Sequence, residues 1–327
     1  MKKTEFFVQN RRRFIQATLA TAAGLVLPAV TSARSSDKPL RIGYIGPSPE
    51  LVNVTGWALA NNHLQREVTP LGYSTVTTHT FANGPDLNEA FFAGSVDVGI
   101  YGDTPSIVAR ARGLKNKLIG FDQIGMDVWL LTPQNGVTDI RALEGKTVAV
   151  ALGSYMHRYV IGRLKEAGIL KSTKIVYMLP RDGGSALEKN AVAAFAAPIG
   201  MGPLLAERGF PVLDRASLHP HLAGSSLITA SDEALKRSPE LATALLRARQ
   251  TALDEIRHNP DAYYAFHAKA SGFPESVVRA SHPISQFVYE AYPQQGLQQL
   301  DRVSQFLLEE RLIREPVTVE QWQVAGL

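Results

Sequence analysis

The chain contains no cysteine. That absence excludes disulfides, thiol nucleophiles, iron–sulfur clusters and a lipidated N-terminal cysteine. Most of the sequence also lacks an excess of either charge. Lys2, Lys3, Arg11, Arg12 and Arg13 against Glu5 give residues 1–33 a net charge of +4, which is the formal charge of the whole chain. The remainder is near neutral, so composition argues for neither nucleic acid nor a membrane surface as a partner. After residue 33 there is no low-complexity tract, no long linker and no apolar run able to span a bilayer.

Catalytic signatures are missing too. There is no His-Glu-x-x-His, no Gly-x-Ser-x-Gly and no aspartate-rich calcium loop. Gly145-Lys146-Thr147 resembles the end of a phosphate-binding loop, but the earlier glycine would fall at Ile140, and a strand follows where a helix is needed. Gly200-Met201-Gly202 lacks a third glycine. His219-Pro220-His221 has no nearby acid or histidine to complete a metal site and reads as a solvated loop. Ser35-Ser36-Asp37-Lys38 fits Ser-x-x-Lys only formally. The chain reads as built to hold something rather than transform it, with no cofactor.

What is present begins with an address. Asn10-Arg11-Arg12-Arg13-Phe14-Ile15-Gln16 precedes an uncharged Ala/Thr/Leu/Val run to Val30, and Thr31-Ser32-Ala33 supplies small residues for cleavage. Basic, apolar and small-residue regions in that order predict an export signal over residues 1–33. The paired arginines resemble a twin-arginine signal, although Asn10 and Gln16 depart from its usual residues and leave Sec export open. Roughly 290 residues remain after cleavage, which is large for one core and favours two domains.

Strand and helix patterns alternate from Leu40 to Ala230, predicting mostly parallel sheet covered on both faces. The arrangement repeats: a second unit starts near Ile140, and Leu227–Ala230 reads as a return to the first. Beyond Asp232 the pattern is helical. The stretch Val96-Asp97-Val98-Gly99-Ile100-Tyr101-Gly102-Asp103-Thr104-Pro105 is a β-branched strand turning directly into a helix. Gly46-Pro47-Ser48 and Gly153-Ser154-Tyr155 repeat the device. Each places a glycine and a hydroxyl near a helix start, where unpaired N–H groups favour an anion. In open α/β sheets such loops gather at the carboxyl ends of the strands.

The run Phe91–Ile100 continuing through Gly102-Asp103-Thr104-Pro105 resembles the periplasmic sulfonate-binding proteins of ABC importers. So do Leu143-Glu144-Gly145-Lys146-Thr147-Val148-Ala149-Val150, the following Gly153-Ser154-Tyr155-Met156-His157, and the C-terminal Pro316-Val317 with Trp322. The first and third of these segments are similar to the alkanesulfonate, sulfate-ester and taurine branch more than to nitrate or thiamine-precursor binders. The resemblance implies a two-lobed, type II α/β fold. One lobe would hold residues 38–132 plus 227–327 and the other residues 133–226, hinged near Leu131 and Leu227.

It further implies a monomeric receptor for a small anionic organosulfur ligand, working with an ABC permease and its cytoplasmic ATPase. Ligand contacts carry over to Pro47, Ser48, Gly102, Asp103, Thr104, Gly153, Ser154 and Tyr155, with His157 a further donor. Trp129, Phe195 and Pro198 would wall an organic tail. Arg158 and Arg181 are candidate charge partners, both read as lying on solvated faces. Ala193 replaces the acid of the family's Gly-x-Val-Asp-Ala-Phe pattern, which argues against an aminosulfonate such as taurine. An enzyme on the same scaffold, or a receptor for nitrate, taurine or a pyrimidine, are the alternatives.

Overall fold

The computed structural model describes residues 38–46 and 48–327. The expected export signal and Pro47 lie outside the described residues. Among the described residues, ten strands form two five-stranded sheets. The first contains β1 (Lys38–Ile45), β2 (Tyr73–Phe81), β3 (Val98–Gly102), β4 (Asn116–Met126) and β10 (Gly224–Ser231). The second contains β5 (Trp129–Leu131), β6 (Thr147–Val150), β7 (Lys174–Tyr177), β8 (Ala194–Ala197) and β9 (Val212–Arg215).

The two orders match strand for strand, β2-β1-β3-β10-β4 and β7-β6-β8-β5-β9. In each sheet four strands point one way. The odd strand, β10 or β5, is antiparallel to both its neighbours. Each odd strand directly follows a passage from the other lobe, so chain entry and sheet reversal coincide.

Alternation explains β1: Leu40, Ile42 and Tyr44 are buried on one face. They meet the stripe Leu241, Leu245, Ala248, Ala252 and Ile256 of the helix Leu241–His258 in one core. The second lobe has separate apolar clusters, one containing Val148, Val150 and Tyr159, the other Ala149, Phe195 and Leu205. Residues 148–150 therefore face opposite sides in turn, the mark of a strand covered twice.

The sheet pairing sets the passages between lobes a few residues before Leu131 and Leu227. Trp129–Leu131 pairs with β8 and β9, so the chain crosses at Asp127-Val128. It returns over Ala216–Ala223, ahead of β10. An apolar run continuing straight on from β4 carries no periodicity that tells one sheet from the other, so the sequence marks the crossing only to within a few residues. Asp127 fastens the two passages together. Its Oδ1 accepts from Val128 N at 2.9 Å and Ser217 N at 2.8 Å, and its Oδ2 accepts from Arg215 Nε at 2.9 Å.

Candidate functional site

The three strand-to-helix loops have unequal fates. After β1, Ser48 is buried, and its hydroxyl donates to Ala270 O at 2.7 Å while accepting from Glu50 N at 3.0 Å. That hydroxyl has no proton left for a ligand.

After β3, the helix Asp103–Ala111 starts at Gly102. Asp103 is wholly buried at its first position. Its Oδ1 accepts from Thr104 N at 2.5 Å and Thr104 Oγ1 at 2.9 Å, and its Oδ2 accepts from Ser225 N at 2.8 Å. Pro105 has no N–H. The helix thus carries its own anion at its positive end, where a carboxylate complements the dipole.

Arg158 explains why that carboxylate is buried. It sits on the helix Tyr155–Glu166 of the second lobe and is itself only 2% exposed. Its Nη2 donates to Asp103 Oδ2 at 3.3 Å and to Ala223 O at 2.9 Å, and its Nε donates to Thr104 Oγ1 at 3.3 Å. The expectation of a solvated Arg158 is therefore corrected. It forms an ion pair between the lobes beside the return passage. Its position among Tyr155, Met156, Tyr159 and Val160, all buried, was the available signal: a charge on an apolar helix face needs a partner from elsewhere. Arg181 is exposed, as expected.

The third loop spends its Gly153 amide and Ser154 hydroxyl internally but leaves the first two helix amides open. Gly153 has φ +74°, a backbone conformation that favours glycine, and its N–H donates to His157 Nδ1 at 3.3 Å. Ser154 caps the helix, accepting from His157 N at 3.2 Å and donating to Ala151 O at 2.6 Å. Tyr155 N–H and Met156 N–H come before the first intrahelical bond and face no side-chain cap, the kind of terminus that takes an oxyanion. Burial holds the His157 imidazole below its ordinary pKa, and the Gly153 N–H makes Nδ1 its acceptor. Tyr155 is buried and serves the joint instead. Its Oη accepts from Ile199 N at 3.3 Å, and its ring lies where a Cβ at Gly224 would come within 2.4 Å.

Other contacts draw the lobes together. Gly200 N donates to Ser281 Oγ at 2.8 Å, and Lys165 Nζ meets Glu310 at 2.6 Å. The expected tail walls lie elsewhere. Trp129 is buried with Arg215 stacked 4.6 Å above its ring, and Phe195 is wholly buried against Gly183. Both complete the second lobe's core, because β5 and β8 are interior strands of a sheet covered on both faces. Pro198 is half-buried at the end of β8.

Sequence reasoning also passed over a buried polar cluster in the first lobe. Asp122 and Arg249 are buried beside Tyr263, and the rings of His267 and His282 lie 4.3 Å apart. Burial pushes Asp122 up to about 6 and His282 down to about 4. These residues come from a β-strand and the C-terminal helices, so no local spacing links them. A hollow of about 460 Å³ lined by Pro133, Lys146, Thr147 and Asn190 opens at the amino ends of β6 and β8. It lies away from the strand carboxyl ends where ligands of open α/β sheets bind. Among the described residues, no group of three or more His, Asp or Glu could hold a metal, and no helix is long and apolar enough to cross a membrane.

A family described as NMT1/THI5 like matches residues 76–263, more than half of the chain. The chain belongs to the NMT1/THI5-like family. One relative, from Escherichia coli (strain K12), carries the name aliphatic sulfonates-binding protein and is 32% identical over 189 residues. That match covers 57% of this chain and 56% of the relative, so the chain spans little more than half of that relative's length. The alkanesulfonate-binding protein SsuA from Xanthomonas axonopodis pv. citri, solved bound to MOPS, superposes with a TM-score of 0.73 at 21% identity, covering 88% of this chain and 98% of that one. The desulfurization enzyme DSZB superposes with a TM-score of 0.68 at 18% identity over 88% and 97% of the two chains. This NMT1/THI5-like chain thus has the two-lobed α/β fold of periplasmic binding proteins, on which both receptors and an enzyme are built.

Proposed function

We propose that the chain is the periplasmic solute-binding component of an ABC importer for organosulfur anions: alkane- or arylsulfonates or sulfate esters. The observation that carries this reading is the loop after β6, where Ser154 caps the helix and the two unpaired amides of Tyr155 and Met156 present a neutral donor site at a helix start. A sulfonate or sulfate oxygen fits such a terminus without a counter-charge. The lobes close over the ligand by movement at Asp127-Val128 and Ala216–Ala223 and deliver it to a membrane permease. The E. coli relative's name points to the same ligand class. No chemistry occurs on the chain. The enzyme reading draws support from the likeness to DSZB, but the absence of cysteine removes a thiol nucleophile.

Thermal unfolding of residues 34–327 against a ligand panel tests the proposal. The panel holds alkanesulfonates, taurine, an arylsulfonate, a sulfate ester, sulfate, nitrate and thiamine. Ligand at about 100 times its dissociation constant adds roughly 2.7 kcal/mol, a shift of several degrees. The expected result is a shift with organic sulfonates or sulfate esters. Nitrate or thiamine alone shifting the transition would overturn the ligand class, and turnover of any panel member would overturn the receptor reading.

A further inference from the structure

With Trp129 and Phe195 in the core, the ligand's organic part needs another surface. Among the described residues nine large hydrophobic side chains are exposed, and three of them stand at or just beyond the carboxyl ends of parallel strands. Ile45 ends β1, Tyr177 ends β7, and Leu152 follows β6 by two residues; they are 37%, 51% and 39% exposed. The other six sit at a helix end, at the amino end of β9, in the return passage or in the C-terminal region. Exposing an apolar side chain forgoes roughly 25 cal/mol per Å² of burial, and three at converging strand ends form a surface awaiting a partner.

The topology makes them converge. β1 lies between β2 and β3. Pro85, just after β2, is 3.9 Å from a Cβ placed on Gly153, and Gly102, at the end of β3, would bring a Cβ to 3.6 Å from Tyr155. The segments on both flanks of β1 therefore meet the loop after β6 and its helix, which places the end of β1, and Ile45 with it, between two points of contact with the second lobe. Ile45 shares its strand face with Gly43, which lies against Leu87 of the helix Gly84–Phe92. That is the helix whose start touches Gly153. β7 pairs beside β6 with Tyr177 opposite Val150, which extends the surface outward by one strand. Leu152 stands two residues before Ser154, the cap of the helix whose first amides are unpaired.

We infer that Ile45 of the first lobe and Leu152 and Tyr177 of the second clasp the alkyl chain of the bound sulfonate and set its preferred length. This inference rests on the proposed function. A surface split between lobes becomes continuous only when they close, so each added methylene favours the closed form.

Isothermal titration of the protein with straight-chain sulfonates from methane- to octanesulfonate tests it. In the wild-type protein affinity rises by about fourfold per methylene over the first several carbons, the ratio equivalent to about 0.8 kcal/mol per buried CH₂. In the triple variant Ile45→Ser, Leu152→Ser, Tyr177→Ser the rise falls below about twofold per methylene. Phe92→Ser and Leu312→Ser, exposed apolar positions off this surface and outside the passages between lobes, retain the wild-type rise. An unchanged rise in the triple variant, or an equal fall in the two control variants, overturns the inference. A wild-type protein that binds all chain lengths equally also overturns it while leaving the sulfonate receptor intact. Binding no sulfonate at all would sink the receptor reading first.

Discussion

The loops after β3 and after β6 carry the same signature, a glycine and a hydroxyl at a helix start, yet they do opposite things. The first holds a buried carboxylate against its own helix terminus and ties it to Arg158 across the lobes. The second caps its helix with Ser154 and leaves two amides unpaired. The difference comes from one residue. Asp103 fills a terminus with the negative charge a ligand would otherwise bring, whereas Tyr155 at the corresponding place brings none. A strand-to-helix glycine therefore predicts where a helix begins, and the next side chain decides whether that beginning is open.

The largest test of this contrast is Arg158→Met, which leaves Asp103 buried without its cation. A loss of about 3–5 kcal/mol in urea unfolding is expected, with a transition lowered by roughly 10 °C. Adding Asp103→Asn to that variant recovers part of the loss, because an amide costs less to bury than a carboxylate. A loss under about 1 kcal/mol would mean the first loop is held by its packing and not by its charge.

Ser154→Ala probes the second loop. Removing the cap costs about 1 kcal/mol, and it weakens sulfonate affinity more than the Arg158 change does if the open terminus is the anion site. Equal effects of the two changes on affinity would erase the distinction.

The smallest effect is electrostatic. Burial lowers the folded pKa of His157, so the stability its neutral ring supplies is full above about 6.5, the unfolded value. It is lost as pH falls from there through the folded value. Between about pH 7.5 and about pH 5.5 the wild-type protein loses more urea stability than His157→Asn does. Matching losses would show that the ring is not needed as an acceptor for Gly153 N–H.

Much of this was legible in the residues. The alternation of β1, the second unit after Ile140 and the helical C-terminal region all follow from periodicity, and the family resemblance pointed to the fold. The loops were found because glycine, hydroxyl and helix start are neighbours in the chain. What escaped were relations between distant residues. Arg158 needed Asp103, 55 positions away, and Asp127 needed Ser217, 90 away. Trp129 and Phe195 are the converse case: an aromatic near a strand end reads as a ligand wall until the second covering layer is known. Ile45, Leu152 and Tyr177 looked ordinary because exposure is a property of the fold, not of the residue.

The matched sheet orders conceal an asymmetry in time. All five strands of the second sheet lie between residues 129 and 215, so that lobe is complete in one continuous stretch of chain. The first sheet is not: β4 pairs with β10 among the strands, and β10 ends at Ser231. A chain emerging from its N-terminus holds β4 without a strand partner until the whole inserted lobe has been made. The inserted lobe is free to fold first, while its host waits with an open sheet edge through roughly a hundred residues of further synthesis, a long loop to close before pairing is rewarded. Whatever keeps that edge from pairing with the wrong strand in the interval protects the host lobe, and not the guest.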